Sequence, residues 1–177
     1  MKDGVLDVYG TLNTAKILMT NGTLIVRDGA NITSPTSSLE LVTPASNCNS
    51  RIELYQDITF ADFYVQKGAT VTIALKGTDV IFKSAQIRGQ ANEISYIVFE
   101  DFQNERIFSS NKSNLNYLNI SGTALDGTEL VDENFYWEAT TGGYWLNYNF
   151  PTVPEPAEWA MILGSLALGF AIYRRRK

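Results

Sequence analysis

Apolar and polar residues alternate along most of the chain, and glycines cut the alternation into short runs. Residues 4 to 33 read Gly4-Val-Leu-Asp-Val8, Gly10-Thr-Leu-Asn-Thr14, Gly22-Thr-Leu-Ile-Val26 and Gly29-Ala-Asn-Ile-Thr33. The Gly-(Val/Thr)-Leu pattern recurs at 4, 10 and 22. The copies at 4 and 22 stand 18 residues apart, a spacing that suits one coil of a β-solenoid. A glycine at each corner admits positive φ, and the alternating residues after it place Leu and Val on one face. Gly68-Ala-Thr-Val-Thr-Ile73 and Gly77-Thr-Asp-Val-Ile-Phe82 continue the theme. From residue 51 the apolar positions fall at Ile52-Leu54, Ile58-Phe60, Phe63-Val65, Val71-Ile73-Leu75, Val80-Phe82, Ile94-Tyr96-Val98, Leu115-Tyr117 and Leu118-Ile120. No helical stripe precedes residue 157, so residues 1–150 read as an all-β body.

Two architectures fit such a body. The glycine-led repeat and the Asn, Thr and Gly corners predict a β-solenoid of parallel, β-helix-like coils. Asn21-Gly22 is the best hairpin signal and keeps a β-sandwich as the alternative. Residues 34–50, rich in Ser, Thr, Asn and Pro around a short Leu39-Glu-Leu-Val42 run, read as an insertion loop off a rung. The segment 122–150 carries Tyr136, Trp137, Tyr144, Trp145, Tyr148 and Phe150 and reads as an aromatic cap over the last coil, with a carbohydrate platform as the other reading.

The pattern changes at residue 151. Pro154-Glu155-Pro156 is followed by an uncharged stretch from Trp159 to Tyr173 and then by Arg174, Arg175, Arg176 and Lys177. Its 15 residues give about 22 Å of helix against a hydrocarbon core of about 30 Å. A single transmembrane helix over 157–173 is therefore expected, stretched by Trp159 and Tyr173 at the headgroups and by snorkelling cations. The four cations should stay on the cytoplasmic side and leave the body outside. Pro154 and Pro156 push the residues before them to extended backbone, which suits a strand-like peptide presented to a peptidase.

This order resembles the PEP-CTERM protein-sorting signal of Gram-negative bacteria, over Pro154-Glu155-Pro156, Ala160 to Ile172 and Arg174 to Arg176. The resemblance implies recognition by exosortase, contact with membrane lipid before processing, and an exopolysaccharide-rich surface as destination. It implies a substrate of the sorting machinery and no catalysis by the chain itself. The coils in turn resemble autotransporter-type β-solenoid repeats. A tail of this kind is also similar to the C-terminal region of ice-binding proteins. Ice binding would need a flat Thr array, however, and Thr70-Val71-Thr72 is one isolated pair. Met1-Lys2-Asp3-Gly4 leads straight into a strand pattern, so with this tail an export signal is expected upstream in a longer chain.

Charge and candidate chemistry narrow the reading further. The chain has 14 Lys and Arg against 19 Asp and Glu; without residues 154–177 the body carries 10 cations and 17 carboxylates. So acidic a body repels phosphate backbones, and no nucleic-acid partner is expected. The absence of histidine removes the commonest general base and every imidazole metal site. Cys48 reads as a lone loop thiol between Asn47 and Asn49. Asp57, Asp62, Asp79, Glu100-Asp101, Asp126, Glu129 and Asp132-Glu133 read as solvated turn carboxylates. A calcium loop at Asp126-Gly127-Thr128-Glu129, or a lyase base at Arg88 or Arg106, is the sharper alternative. The sequons at Asn21, Asn31, Asn111 and Asn119 read as corner chemistry. No catalytic residue, metal or cofactor is assigned. The expected function is that of a non-catalytic surface or matrix protein, processed at Pro154, Glu155 and Pro156. A secreted carbohydrate-binding or polysaccharide-active protein is the alternative.

Overall fold

The computed structural model describes residues 3–36, 39–44, 46–77, 79–111, 117–150 and Met161. They form an all-β solenoid of about five turns. Its first face stacks six parallel strands in chain order: β1 (Val5–Val8), β4 (Thr23–Val26), β7 (Asn49–Leu54), β10 (Thr70–Leu75), β12 (Ser95–Phe102) and β14 (Leu118–Ala124). The second face holds β2 (Thr11–Asn13), β5 (Asn31–Thr33), β8 (Ile58–Phe60), the first half of β11 (Phe82–Gly89) and β13 (Ile107–Asn111). The third holds β3 (Lys16–Leu18), β6 (Glu40–Thr43), β9 (Asp62–Val65) and the second half of β11.

Register explains why the sequence folds this way. Leu6, Leu24, Ile52, Ile73 and Phe99 occupy one column of the first face, and Val8, Val26 and Leu54 the next inward column. Leu24, Ile52, Ile73 and Phe99 are at most 1% exposed, so the interior is a ladder of like apolar side chains. The Phe99 column ends on Gly122, where a Cβ would stand 2.0 Å from the Phe99 carbonyl oxygen; only glycine lets β14 lie that close.

The far end closes with antiparallel elements. β15 (Glu129–Leu130) pairs with β14, and β16 (Phe135–Thr140) with β17 (Gly143–Tyr148) forms a hairpin whose second strand pairs with β13. Phe135 of that hairpin packs on Phe102 and Phe99, at ring distances of 5.2 and 6.2 Å.

Several expectations need correction. Asn21-Gly22 joins β3 to β4 on different faces, so it is a coil corner and no hairpin. Asn21 has φ 54°, and its Oδ1 accepts the Asn49 N–H at 2.8 Å across to the next coil. The three glycine-led repeats belong to two faces: those at 4 and 22 open rungs of the first, while that at 10 opens β2. Residues 34–50 are not simply an insertion loop. They contain β6, paired on both sides, with Leu41, Val42 and Thr43 buried, because Leu-Glu-Leu-Val continues the third face. In the run Ile94-Tyr96-Val98 the inward residues are instead Ile97 and Phe99; both alternations are apolar, and the larger Phe99 takes the place over Ile73. Cys48 is 2% exposed and belongs to the apolar core rather than to a loop surface. Among the described residues no helix is long and apolar enough to cross a membrane. The expected membrane segment 157–173 lies outside them except for Met161, which is helical and exposed.

Candidate functional site

The sorting residues Pro154, Glu155 and Pro156, the expected membrane ends Trp159 and Tyr173, and the basic end Arg174, Arg175, Arg176 and Lys177 all lie outside the described residues. What the structure offers for recognition is therefore the outside of the coils, where parallel register stacks charged residues into ladders.

Arg27 sits on the first face between two tyrosines, 5.5 Å from the Tyr9 ring and 4.9 Å from that of Tyr55, and donates two hydrogen bonds to Asp7 at 3.0 Å each. Those bonds hold the Asp7 carboxyl below its ordinary range. Further along, Arg51 reaches over β10 to Glu100, donating two hydrogen bonds of 2.6 Å, and donates a third to Glu53 at 2.8 Å. Lys76 joins the same cluster through Asp101 at 3.1 Å. The Arg51 hydrogen bonds depress the Glu100 pKa below 4.5, so this paired carboxylate stays ionised. On the third face Arg88 donates twice to Asp62, at 3.0 and 2.7 Å, and lies 4.4 Å from the Tyr64 ring.

The carboxylates singled out in the sequence are therefore mostly partners of cations or of backbone. Asp57 accepts the Ile81 N–H and Asp132 the Ile120 N–H, while Asp79 faces Arg106 at 3.5 Å. Asp126 accepts the Thr128 N–H at 2.9 Å inside the β14–β15 turn, and that bond lowers its pKa. Among the described residues no group of three or more acidic or thiol side chains could hold a metal ion. Of the sequons, Asn21 occupies a corner, whereas Asn31 and Asn119 lie within β5 and β14.

Much of the aromatic segment packs onto the coil end, while Tyr136 is 46% exposed. Phe135, Tyr148 and Phe150 form a chain of edge contacts at 4.9 and 5.0 Å, and Phe108 meets Trp145 at 5.0 Å. These pairs and Phe102–Phe135 cross at 63° to 80°, which leaves no coplanar platform among them. The Tyr148 hydroxyl accepts hydrogen bonds from the Val131 N–H and the Asn134 amide. A groove of about 400 Å³ remains beside Phe102, Leu125 and Phe150. Its Asn104 amide is bonded through both atoms to the Tyr148 backbone. Thr72, half of the isolated threonine pair, has Arg51 and Val98 as its column neighbours, so no threonine rank continues across the face.

Sequence reasoning named Asp62, Asp79, Glu100 and Asp101 among the carboxylates, and Arg88 and Arg106, but not Asp7 or Glu53. It missed Arg27 and Arg51, whose partners come into reach only when coil lengths are known. No protein-family model, no curated protein and no solved structure matches the chain.

Proposed function

We propose that this chain is a non-catalytic bacterial surface or extracellular-matrix protein, a β-solenoid routed to the envelope by a PEP-CTERM-type tail and processed by an exosortase. One observation carries the reading: Pro154-Glu155-Pro156, an uncharged run and a terminal cationic cluster follow one another in that order. In the precursor, membrane lipid holds the apolar segment 157–173, and the cations at 174–177 keep the chain end cytoplasmic and the body periplasmic. Cleavage then passes the body to the cell surface, where exopolysaccharide is its surroundings and partner.

The body's surface chemistry supports a scaffold. Glu100 is held ionised by Arg51, whereas a glycosidase acid needs a raised pKa. Arg88 is engaged by Asp62 in a two-bond pair instead of standing free as a base. The crossed rings of the terminal segment favour packing over a flat sugar-binding platform.

The test is fractionation of cells that contain an exosortase. Glu155→Ala should leave uncleaved, membrane-retained precursor, because the motif's only charged group is lost, while Glu158→Ala is processed normally. Equal processing of both variants would remove the sorting role of the motif.

A further inference from the structure

Among the described residues, every lysine and arginine but one stands 2.6 to 3.5 Å from a carboxylate oxygen. Lys83 is the exception. It has no acidic partner among the described residues, and yet it is half-buried, on the second face between the inward-pointing Phe82 and Ser84. Register places Thr59, Lys83, Phe108 and Trp145 in one outward column across β8, β11, β13 and β17. A groove of about 460 Å³ crosses these strands. It starts at Ile32, where β5 and β8 are unpaired and the second face divides, and reaches Ser110 on β13.

Two features keep the groove open. Ala61 and Ala85 give it small side chains, and the Phe108 ring leans away from Lys83: a Cβ at Gly143 would stand 2.5 Å from Phe108 Cζ, so the ring lies over β17, 5.0 Å from Trp145. Ser34 and Ser84 also line the groove, but their hydroxyls already bond Thr36 and the Gln86 carbonyl. The polar side chains left for a ligand are the Lys83 ammonium and the Thr59 and Ser110 hydroxyls, which have no hydrogen-bond partner among the described residues. No carboxylate lines the groove, and carboxylates more than about 8 Å away are largely screened at physiological salt.

We propose that this groove binds a carboxylated sugar unit of a polysaccharide, with the carboxylate on Lys83 and ring hydroxyls on Thr59 and Ser110. The choice of a polysaccharide rests on the reading of the body as a matrix protein; the acidic unit is selected by the groove itself. One ammonium matches the single charge of a carboxylate, whereas a phosphate group, at about −1.5 to −2, would leave charge unpaired. A peptide fits less well. The groove crosses strands that are hydrogen-bonded to one another, so an extended peptide laid along it meets side chains and no free ladder for its own N–H and C=O groups. A sugar ring carries its own donors and acceptors and matches the hydroxyls. Phe108 serves as a wall, and no flat aromatic platform is needed.

The experiment titrates the full chain in detergent with trigalacturonate, neutral maltotriose and triglutamate by isothermal calorimetry. Trigalacturonate should bind with a Kd at or below about 1 mM, and the other two at least about tenfold more weakly. Lys83→Gln should weaken trigalacturonate binding at least about tenfold. Ala85→Ile, which fills the groove and leaves its charge alone, should do the same, each variant keeping the wild-type circular dichroism spectrum. Lys67→Gln removes an equal charge from an exposed pair with Glu93 outside the groove and should change the Kd by less than about twofold. The proposal is overturned by trigalacturonate that does not bind, by maltotriose that binds as tightly, or by equal losses in Lys67→Gln and Lys83→Gln. Triglutamate binding as tight as the sugar overturns it too and makes the groove a peptide site. The chain is titrated unprocessed, so each of these outcomes is distinct from failure of the Glu155→Ala processing test.

Discussion

Truncating Leu24 to alanine tests the ladder at its most buried point. Leu24 has no exposed surface and lies in register between Leu6 and Ile52. Losing three carbons removes about 2.4 kcal/mol of transfer free energy at about 0.8 kcal/mol per methylene. The rungs on either side are hydrogen-bonded through β1 and β7 and cannot collapse fully. A residual cavity of about 50 Å³ at about 24 cal/mol per Å³ adds about 1.2 kcal/mol, for a total of about 3.6 kcal/mol. At about 2–4 °C per kcal/mol for a domain of this size, Leu24→Ala should lower the Tm by about 7–14 °C. Ile25, the next residue on the same strand, points outward and is half-buried; Ile25→Ala leaves no cavity and should cost about 1 kcal/mol. Thermal melts of the full chain followed by far-ultraviolet circular dichroism compare the two. An Ile25→Ala loss equal to or larger than that of Leu24→Ala would refute the register, and with it the assignment of the inward column.

Two further outcomes follow from the site geometry. Glu100 has its pKa depressed by the Arg51 hydrogen bonds, so its contribution is complete above the ordinary value of 4.5 and is lost as the pH falls through the lower folded value. Urea midpoints of wild type and Arg51→Gln should therefore converge as the pH is lowered from neutrality through that window, and curves that stay parallel would contradict the pairing. Cys48 is buried in the core, so a thiol reagent should modify it only after denaturation; rapid stoichiometric reaction of the native chain would place it on the surface.

The parts of the fold legible in the sequence are those where coil length is short and regular. Val5 and Thr23 are 18 positions apart, and the glycine-led repeat is plain there. The next steps of the first face, from Thr23 to Arg51, Thr72, Val98 and Ser121, are 28, 21, 26 and 23 positions, because corners of unequal size separate similar rungs. Phase is lost between coils while alternation within each rung survives. Where both alternations are apolar, as around Ile94 to Phe99, the sequence does not say which set faces in, and packing against Ile73 decides. The thiol was misread because Asn47 and Asn49 flank it and both are exposed, yet Asn47 turns the chain with φ 56° and Cys48, just before β7, faces the core. The ion pairs depend on the same missing phase: Arg27 and Asp7 are 20 positions apart, and Arg51 and Glu100 are 49. The sorting role proposed for the tail rests on the order of residue types alone, over residues outside those the structure describes.

The central claim is that the tail is a processing signal, and the C-terminal residue of the released protein tests it most directly. Intact-mass spectrometry of the form recovered from the surface of an exosortase-containing host should give a chain ending near residue 156, without the apolar segment and the four terminal cations. A released wild-type protein that still ends at Lys177 would contradict the account.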